Sequence, residues 1–258
     1  MSASESDITA GGAIFARLKT LGVDYVFCNS GTDFPPIIEG LAEAVAKDEL
    51  LPQAIVIPHE HVAMGMAHGY WQATGKPQAV MLHTNVGLAN GVIGAINAAH
   101  DNVPVLLMSG RTPVTEKGHF GSRTVPIGWG QEMRDQTALV REMTKWDYEL
   151  KFADQIIDLL DRAYAISDST PKGPVYLSLP REVLCDPVER KALKAPPLMA
   201  AARTSAYPDD VEKLAEWIVA AKSPVIFSQR GTGTARGFTA LTKLVEEWAI
   251  PVNTYWAQ

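Results

Sequence analysis

Apolar positions along this chain gather in short runs, each followed by a longer helix-like stretch. Runs rich in Val, Ile and Leu predict strands at residues 23–28, 54–57, 79–83, 103–109 and 175–179. The intervening stretches predict helices at 10–21, 35–47, 59–74, 88–100 and 153–168, with a further one near 131–140. Thr9 is a candidate N-cap for the first helix, and Pro35 and Pro36 suit the start of the second. Gly75 and Pro77 should stop the third. A polar, glycine-rich loop is expected over 110–130.

Strands alternating with helices predict a parallel sheet covered on both faces. The expected fold is therefore a doubly wound α/β domain over residues 1–185. Ligands of such sheets bind beyond the carboxyl ends of the strands. Candidate chemistry then lies in the segments 29–34, 58–61, 84–87 and from Gly110 onward. Residues 186–206, with several prolines and alanines, read as a linker. Beyond it a helix at 208–221, a strand "PVIFS", a loop "QRGTGTARG", a helix at 238–249 and a strand "PVNTYW" predict the opening of a second α/β domain over 207–258. Two parallel strands cannot cover a core of their own. That part is expected to be truncated, or to pack on something outside this chain.

Composition narrows the classes. Of the 258 residues 47% are hydrophobic and 20% charged, so a sizeable core is expected and disorder is not. The net charge of -6 and the absence of a basic cluster argue against nucleic-acid and anionic-membrane partners. No apolar run approaches the roughly 18 residues of a membrane span. The start "MSASESDITA" is too polar for a signal peptide, and Cys28 and Cys185 show no metal or disulfide spacing. A cytoplasmic location is the expectation.

The stretch "VIPHEHVAMGMAHGYWQATGKP", residues 56–77, holds a single glutamate, Glu60, where an apolar strand hands over to an apolar helix. A glutamate in a first helical turn gains some tenths of a kcal/mol from the helix dipole. That alone would favour an exposed position, whereas the apolar flanks suggest burial. A buried carboxylate can hold or share a proton, and both readings stand on the residues alone. His59, His61 and His68 do not form a zincin motif, because Ala63 stands where its second histidine belongs. No metal is assigned to them. "GTGTARG", 231–237, lacks the full dinucleotide fingerprint and reads as a tight turn; "HTNVGLANG", 83–91, lacks the Lys-Ser/Thr of a phosphate loop. The glycines of the latter would let a ligand approach the backbone.

Four segments in register resemble the N-terminal, pyrimidine-binding domain of thiamine diphosphate-dependent 2-oxo-acid enzymes. These are "GVDYVFCNSGTDFPPII", "PHEHVAMGMAHGYWQATGKP", "HTNVGLANGVIGAINAAHDNVPVLLMSG" and "KGPVYLSLPREV". The family includes acetohydroxyacid synthase, pyruvate oxidase and benzoylformate decarboxylase, and residues 207–258 resemble the start of its central domain. In the family the glutamate matching Glu60 hydrogen-bonds the cofactor's aminopyrimidine ring and so activates it. The resemblance implies cofactor contacts at Glu60, Asn29, Gly31, Gly87 and Asn90. The local pattern is most similar to benzoylformate decarboxylase. There the histidine matching His83 transfers protons near the substrate, and Thr32 stands where a serine contacts the substrate carboxylate. His83 and Glu60 are thus the implied catalytic pair, with Thr32 and His83 facing substrate. The segment "RTPVTEKGHFGSRTVPIGWGQEMRDQ" departs from the pattern; His119 and Phe120 there could face substrate or solvent.

The family's magnesium-diphosphate signature, Gly-Asp-Gly followed by paired asparagines, is not found in this sequence. The resemblance therefore implies Mg2+ and diphosphate held by a domain absent from this chain. It also implies a homodimer or homotetramer with the site between subunits. The implied reaction is decarboxylation of a 2-oxo acid. The alternatives are an acetolactate synthase-like carboligase, with FAD possible on the central domain, and a non-catalytic partner subunit that completes a cofactor site.

Overall fold

The computed structural model describes residues 7–125, 131–228 and 232–254. The chain divides into two compact units, Met1–Arg203 and Thr204–Gln258. The first begins with β1 (Asp7–Thr9) and α1 (Ala10–Thr20). It then alternates β2 (Tyr25–Asn29), α2 (Pro35–Ala46), β3 (Gln53–Val56), α3 (Glu60–Thr74), β4 (Gln78–Leu82), α4 (Thr84–His100) and β5 (Val105–Arg111). A long loop leads to β6 (Asp147–Glu149), α5 (Ile156–Asp168), β7 (Val175–Pro180), the single turn α6 (Arg181–Leu184) and β8 (Pro187–Glu189).

Among the described residues the main sheet has six strands in the order β3-β2-β4-β5-β7-β6. Every neighbouring pair is parallel. Alternate side chains sort to opposite faces, as strand pleating requires. Val26, Cys28, Met81, Leu106 and Met108 pack with residues of α1, α2 and α5. Phe27, Val80, Leu82, Val105 and Leu107 pack with α3 and α4. The sheet is thus covered on both faces, as the sequence pattern predicts.

Local chemistry sets the element ends. The Thr9 side chain accepts from the Gly12 amide and caps α1. Gly75, at φ 72°, closes α3 in the left-handed conformation that glycine adopts without penalty. Helices α3 and α4 pack tightly: a β-carbon on Gly94 would lie 2.3 Å from Met64 Cβ. Because the strands are parallel, the N-terminal ends of both helices lie at the carboxyl end of the sheet.

Several expectations change. Helix α4 starts at Thr84 rather than Leu88, because Gly87, Gly91 and Gly94 are packing positions against Glu60, Leu82 and Met64 rather than loop residues. The helix expected near 131–140 is only a pair of 3₁₀ turns, Thr137–Leu139 and Arg141–Met143. The Gln136 side chain is drawn into the core there, bonding Ser109, Gly110 and Tyr176. Within 186–206, β8 pairs antiparallel with β1 and Arg190 bridges to Glu43. The carbonyls of Leu193 and Ala195 accept from Arg17, which is itself paired with Asp161 in the core.

The second unit holds α7 (Pro208–Ala220), β9 (Ile226–Ser228), α8 (Ala235–Trp248) and β10 (Val252–Thr254), with β9 and β10 parallel. Trp217, Phe227 and Phe238 are exposed there, since two strands offer too little cover. Parts of the expected segments, at 126–130, 229–231 and 255–258, lie outside the described residues.

Candidate active site

Strand β2 pairs with β3 on one side and β4 on the other. The strand order therefore reverses at β2, and the crevice at the carboxyl ends of β2 and β4 is where doubly wound sheets bind ligands. Asn29 ends β2, Glu60 opens α3 just after β3, and His83 sits between β4 and α4. The sheet topology alone gathers these three residues.

Glu60 is only 7% exposed. Its Oε1 accepts from Asn29 Nδ2 and its Oε2 from Asn90 Nδ2, each at 3.0 Å. Two neutral amides hold the carboxylate, and among the described residues no cation pairs with it. The first turn of the 15-residue α3 adds its dipole. Gly87 keeps the far side open: a β-carbon there would stand 3.3 Å from Glu60 Oε1.

A second cluster lies beside the first. His83 Nδ1 is 2.6 Å from Asp33 Oδ1, and Asp33 Oδ2 accepts from the Thr84 amide at 3.2 Å. The hydrogen bond to Asp33 raises the His83 pKa above the ordinary histidine value; burial opposes this, and the charges of Asp33 and Glu60 reinforce it. Gly31 faces the imidazole so closely that a β-carbon would overlap it. Thr84 has φ 41°, a strained value for a β-branched residue. Among the described residues the buried Thr84 Oγ1 and Asn85 Oδ1 find no hydrogen-bond partner.

Thr32 is exposed and lines a cleft with Asp33, Thr84, Arg111, Thr112 and Arg181. Arg111 pairs with Glu149 at 2.9 Å. The Arg181 guanidinium donates to the carbonyls of Thr32, Gly121 and Ser122. Its neighbour Glu182 accepts from the amides of Val114 and Thr115. The pair clamps the loop after β5 through both its donors and its acceptors. His119 and Phe120 in that loop are exposed, and neither lines the cleft.

Of the residues singled out in the sequence, Asn29, Glu60, Gly87 and Asn90 form one contact set, and Gly31 and His83 another. Thr32 borders the second. Asp33 and Arg181 were not singled out. The available signal for Asp33 was an acid at the carboxyl end of a strand, one residue from Thr32. Among the described residues no three His, Cys, Asp or Glu side chains gather as metal ligands would.

A buried, amide-held carboxylate thus stands at the switch point of a doubly wound sheet, where such sheets bind their ligands. The chain belongs to the thiamine pyrophosphate enzymes, whose N-terminal TPP-binding domain matches residues 8–139. It is 29% identical, over 97% of its length, to a Pseudomonas aeruginosa protein named "Probable 2-ketoarginine decarboxylase AruI". It is 28% identical over 95% of its length to the mitochondrial acetolactate synthase catalytic subunit of Saccharomyces cerevisiae. It spans 42% and 35% of those two relatives. The fold is similar to that of the thiamine diphosphate-dependent 4-hydroxybenzoylformate decarboxylase of Rhodococcus jostii RHA1, with TM-score 0.77 and 23% identity over 95% of this chain and 44% of that one.

Proposed function

We propose that this chain supplies the pyrimidine-binding half of the active site of a thiamine diphosphate-dependent enzyme acting on a 2-oxo acid, in the manner of a benzoylformate decarboxylase. The observation that carries the reading is the buried Glu60 carboxylate, held by Asn29 and Asn90 beside the bare backbone of Gly87. Thiamine diphosphate, when bound, supplies the electron sink that cleavage next to a keto group requires.

The residues of this chain do the rest. A protonated Glu60 donates a hydrogen bond to the ring nitrogen and can pass its proton there, and the low-dielectric surroundings strengthen that bond. Asn29 and Asn90 fix the carboxylate in one rotamer. Gly31 and Gly87 leave room for close approach. His83 moves a proton near the substrate, and Thr32 offers its hydroxyl to the substrate carboxylate. The diphosphate and Mg2+ are assigned to another domain of the enzyme, and the site to a boundary between two copies.

The test is Glu60→Gln in the enzyme containing this chain. Turnover should fall by about 10²- to 10⁴-fold with the melting temperature unchanged. Near-native turnover with cofactor bound would overturn the reading. A carboligase is the second reading, supported by the relatives named acetolactate synthase. A panel of aromatic and aliphatic 2-oxo acids separates the two: an aldehyde product supports decarboxylation, a 2-hydroxy-ketone or acetolactate-type product supports ligation.

A further inference from the structure

We propose that Asp33 is a positioning residue that fixes which ring nitrogen of His83 carries the proton, leaving Nε2 as the nitrogen that exchanges protons. This deepens the reading of His83 as a proton-transfer group and rests on it.

Asp33 is 3% exposed, and both of its oxygens are committed: Oδ1 to His83 Nδ1 at 2.6 Å and Oδ2 to the Thr84 amide at 3.2 Å. An ionised carboxylate can only accept. Nδ1 must therefore donate, and a neutral His83 carries its lone pair on Nε2.

The surroundings hold this pair in one arrangement. A β-carbon on Gly110 would lie 1.6 Å from Asp33 Oδ2, and one on Gly31 would lie 2.1 Å from His83 Nδ1. Carboxylate and ring each occupy space that only glycine leaves. Thr84 sits at φ 41°, a strained conformation for a β-branched residue. In that conformation its amide donates to Asp33. The strain is maintained at the corner where the dyad and the helix start meet.

The plain structural alternative is that Asp33 only caps the start of α4 through the Thr84 amide. The two roles separate chemically. Asparagine caps a helix about as well as aspartate, so Asp33→Asn retains an acceptor for Thr84. It removes the charge and places an amide next to His83. A purely capping role leaves the ring tautomer and the pH profile of turnover unmoved by that change; a positioning role does not. The charge of Glu60 also acts on the ring, and Arg111 and Arg181 line the cleft with Asp33; all three stay in the variant.

The experiment is nitrogen NMR of the protein labelled with 15N-histidine, with the His83 signal identified by its loss in His83→Gln. The expected wild-type result is a neutral ring protonated on Nδ1 and titrating above the ordinary histidine range. In Asp33→Asn the midpoint should fall back toward the ordinary histidine range. A wild-type ring protonated on Nε2, or an unmoved midpoint in a folded Asp33→Asn, would overturn the proposal. The tautomer is read on the wild type, so a variant that fails to fold does not block the test. In the enzyme containing this chain, the limb of the kcat/KM pH profile set by His83 should move with the NMR midpoint in Asp33→Asn. Loss of turnover in His83→Ala with an unmoved limb in Asp33→Asn would overturn the role given to Asp33. Full turnover in His83→Ala would overturn the catalytic reading of His83 instead, and the tautomer result would stand apart from it.

Discussion

Gly87 lies against Glu60 so closely that a β-carbon on it would stand 3.3 Å from the carboxylate oxygen Oε1 and 3.2 Å from Leu82 Cβ. Either neighbour can give by a few tenths of an ångström, so the helix should survive a methyl group here. Alanine also gains about 0.5–1 kcal/mol of helix stability over glycine. The carboxylate, held by two amides in one rotamer, is the part whose displacement would disturb the site. Gly87→Ala should therefore leave the melting temperature within a few degrees of wild type, which corresponds to about 1 kcal/mol. Turnover in the enzyme containing this chain should fall at least about 10-fold, as misplacement of a catalytic group by a fraction of an ångström does. Thermal melts and steady-state rates on the same preparation check this. Unchanged turnover would mean that the Gly87 side of Glu60 is not the working side.

The raised pKa of His83 makes part of the stability pH-dependent. A folded state that holds its proton more tightly than the unfolded chain binds more protons, so stability falls as pH rises. The contribution is fully present below the unfolded histidine value of about 6.5 and is lost as pH rises through the raised folded value. The difference in unfolding free energy between wild type and His83→Gln should be largest near pH 6 and shrink toward pH 8. Urea titrations across that range measure it. A difference that grows with pH would contradict the direction of the shift.

Arg17 and Asp161 are both essentially fully buried and are joined by two hydrogen bonds of 2.6 Å. Removing one partner strands a charge in the core, which costs about 3–5 kcal/mol, whereas replacing both with apolar residues is often near neutral. Asp161→Leu should be strongly destabilising, and Arg17→Met with Asp161→Leu should recover most of the loss. The double variant also frees the carbonyls of Leu193 and Ala195, which Arg17 holds. Hydrogen exchange should then rise in that segment, while the sheet stays protected.

The strand–helix alternation made the parallel sheet legible, because strands buried on both faces leave continuous apolar runs. The short pieces stayed hidden: β1, β6 and β8 have three residues each, too few for a period to show. Glu60 was legible because a lone carboxylate among apolar residues has few reasons to be there. Its partners Asn29 and Asn90 are far apart in sequence, and only the resemblance pointed to them. Asp33 escaped notice because its role depends on Gly110 and His83, which the sheet order brings to it from two other strands. The start of α4 was misplaced because glycines that serve close packing look, in sequence, like glycines that serve a loop.

Helices α3 and α4 leave apolar side chains uncovered: Val62 and Met66 on α3, at 49% and 38% exposure, and Ile93 and Ile96 on α4, at 57% and 39%. Single exposed apolar residues are ordinary; pairs spaced three or four apart on two neighbouring helices suit the boundary between two copies proposed above. The same two helices carry Glu60 and Asn90. A second copy docking here would bring its own groups to the mouth of the crevice, in keeping with a site shared between subunits. In a two-fold contact each substitution is met twice, and a carboxylate buried there without a partner is costly. Met66→Glu combined with Ile93→Glu should therefore weaken self-association at least about 100-fold, or ~2.7 kcal/mol. Both positions are partly exposed, so the fold itself should hold. Sedimentation should show the enzyme falling to single chains with unchanged circular dichroism, and turnover should be lost with the assembly. An unchanged mass would place the partner surface elsewhere, and single chains that keep full turnover would show that the site needs no second copy.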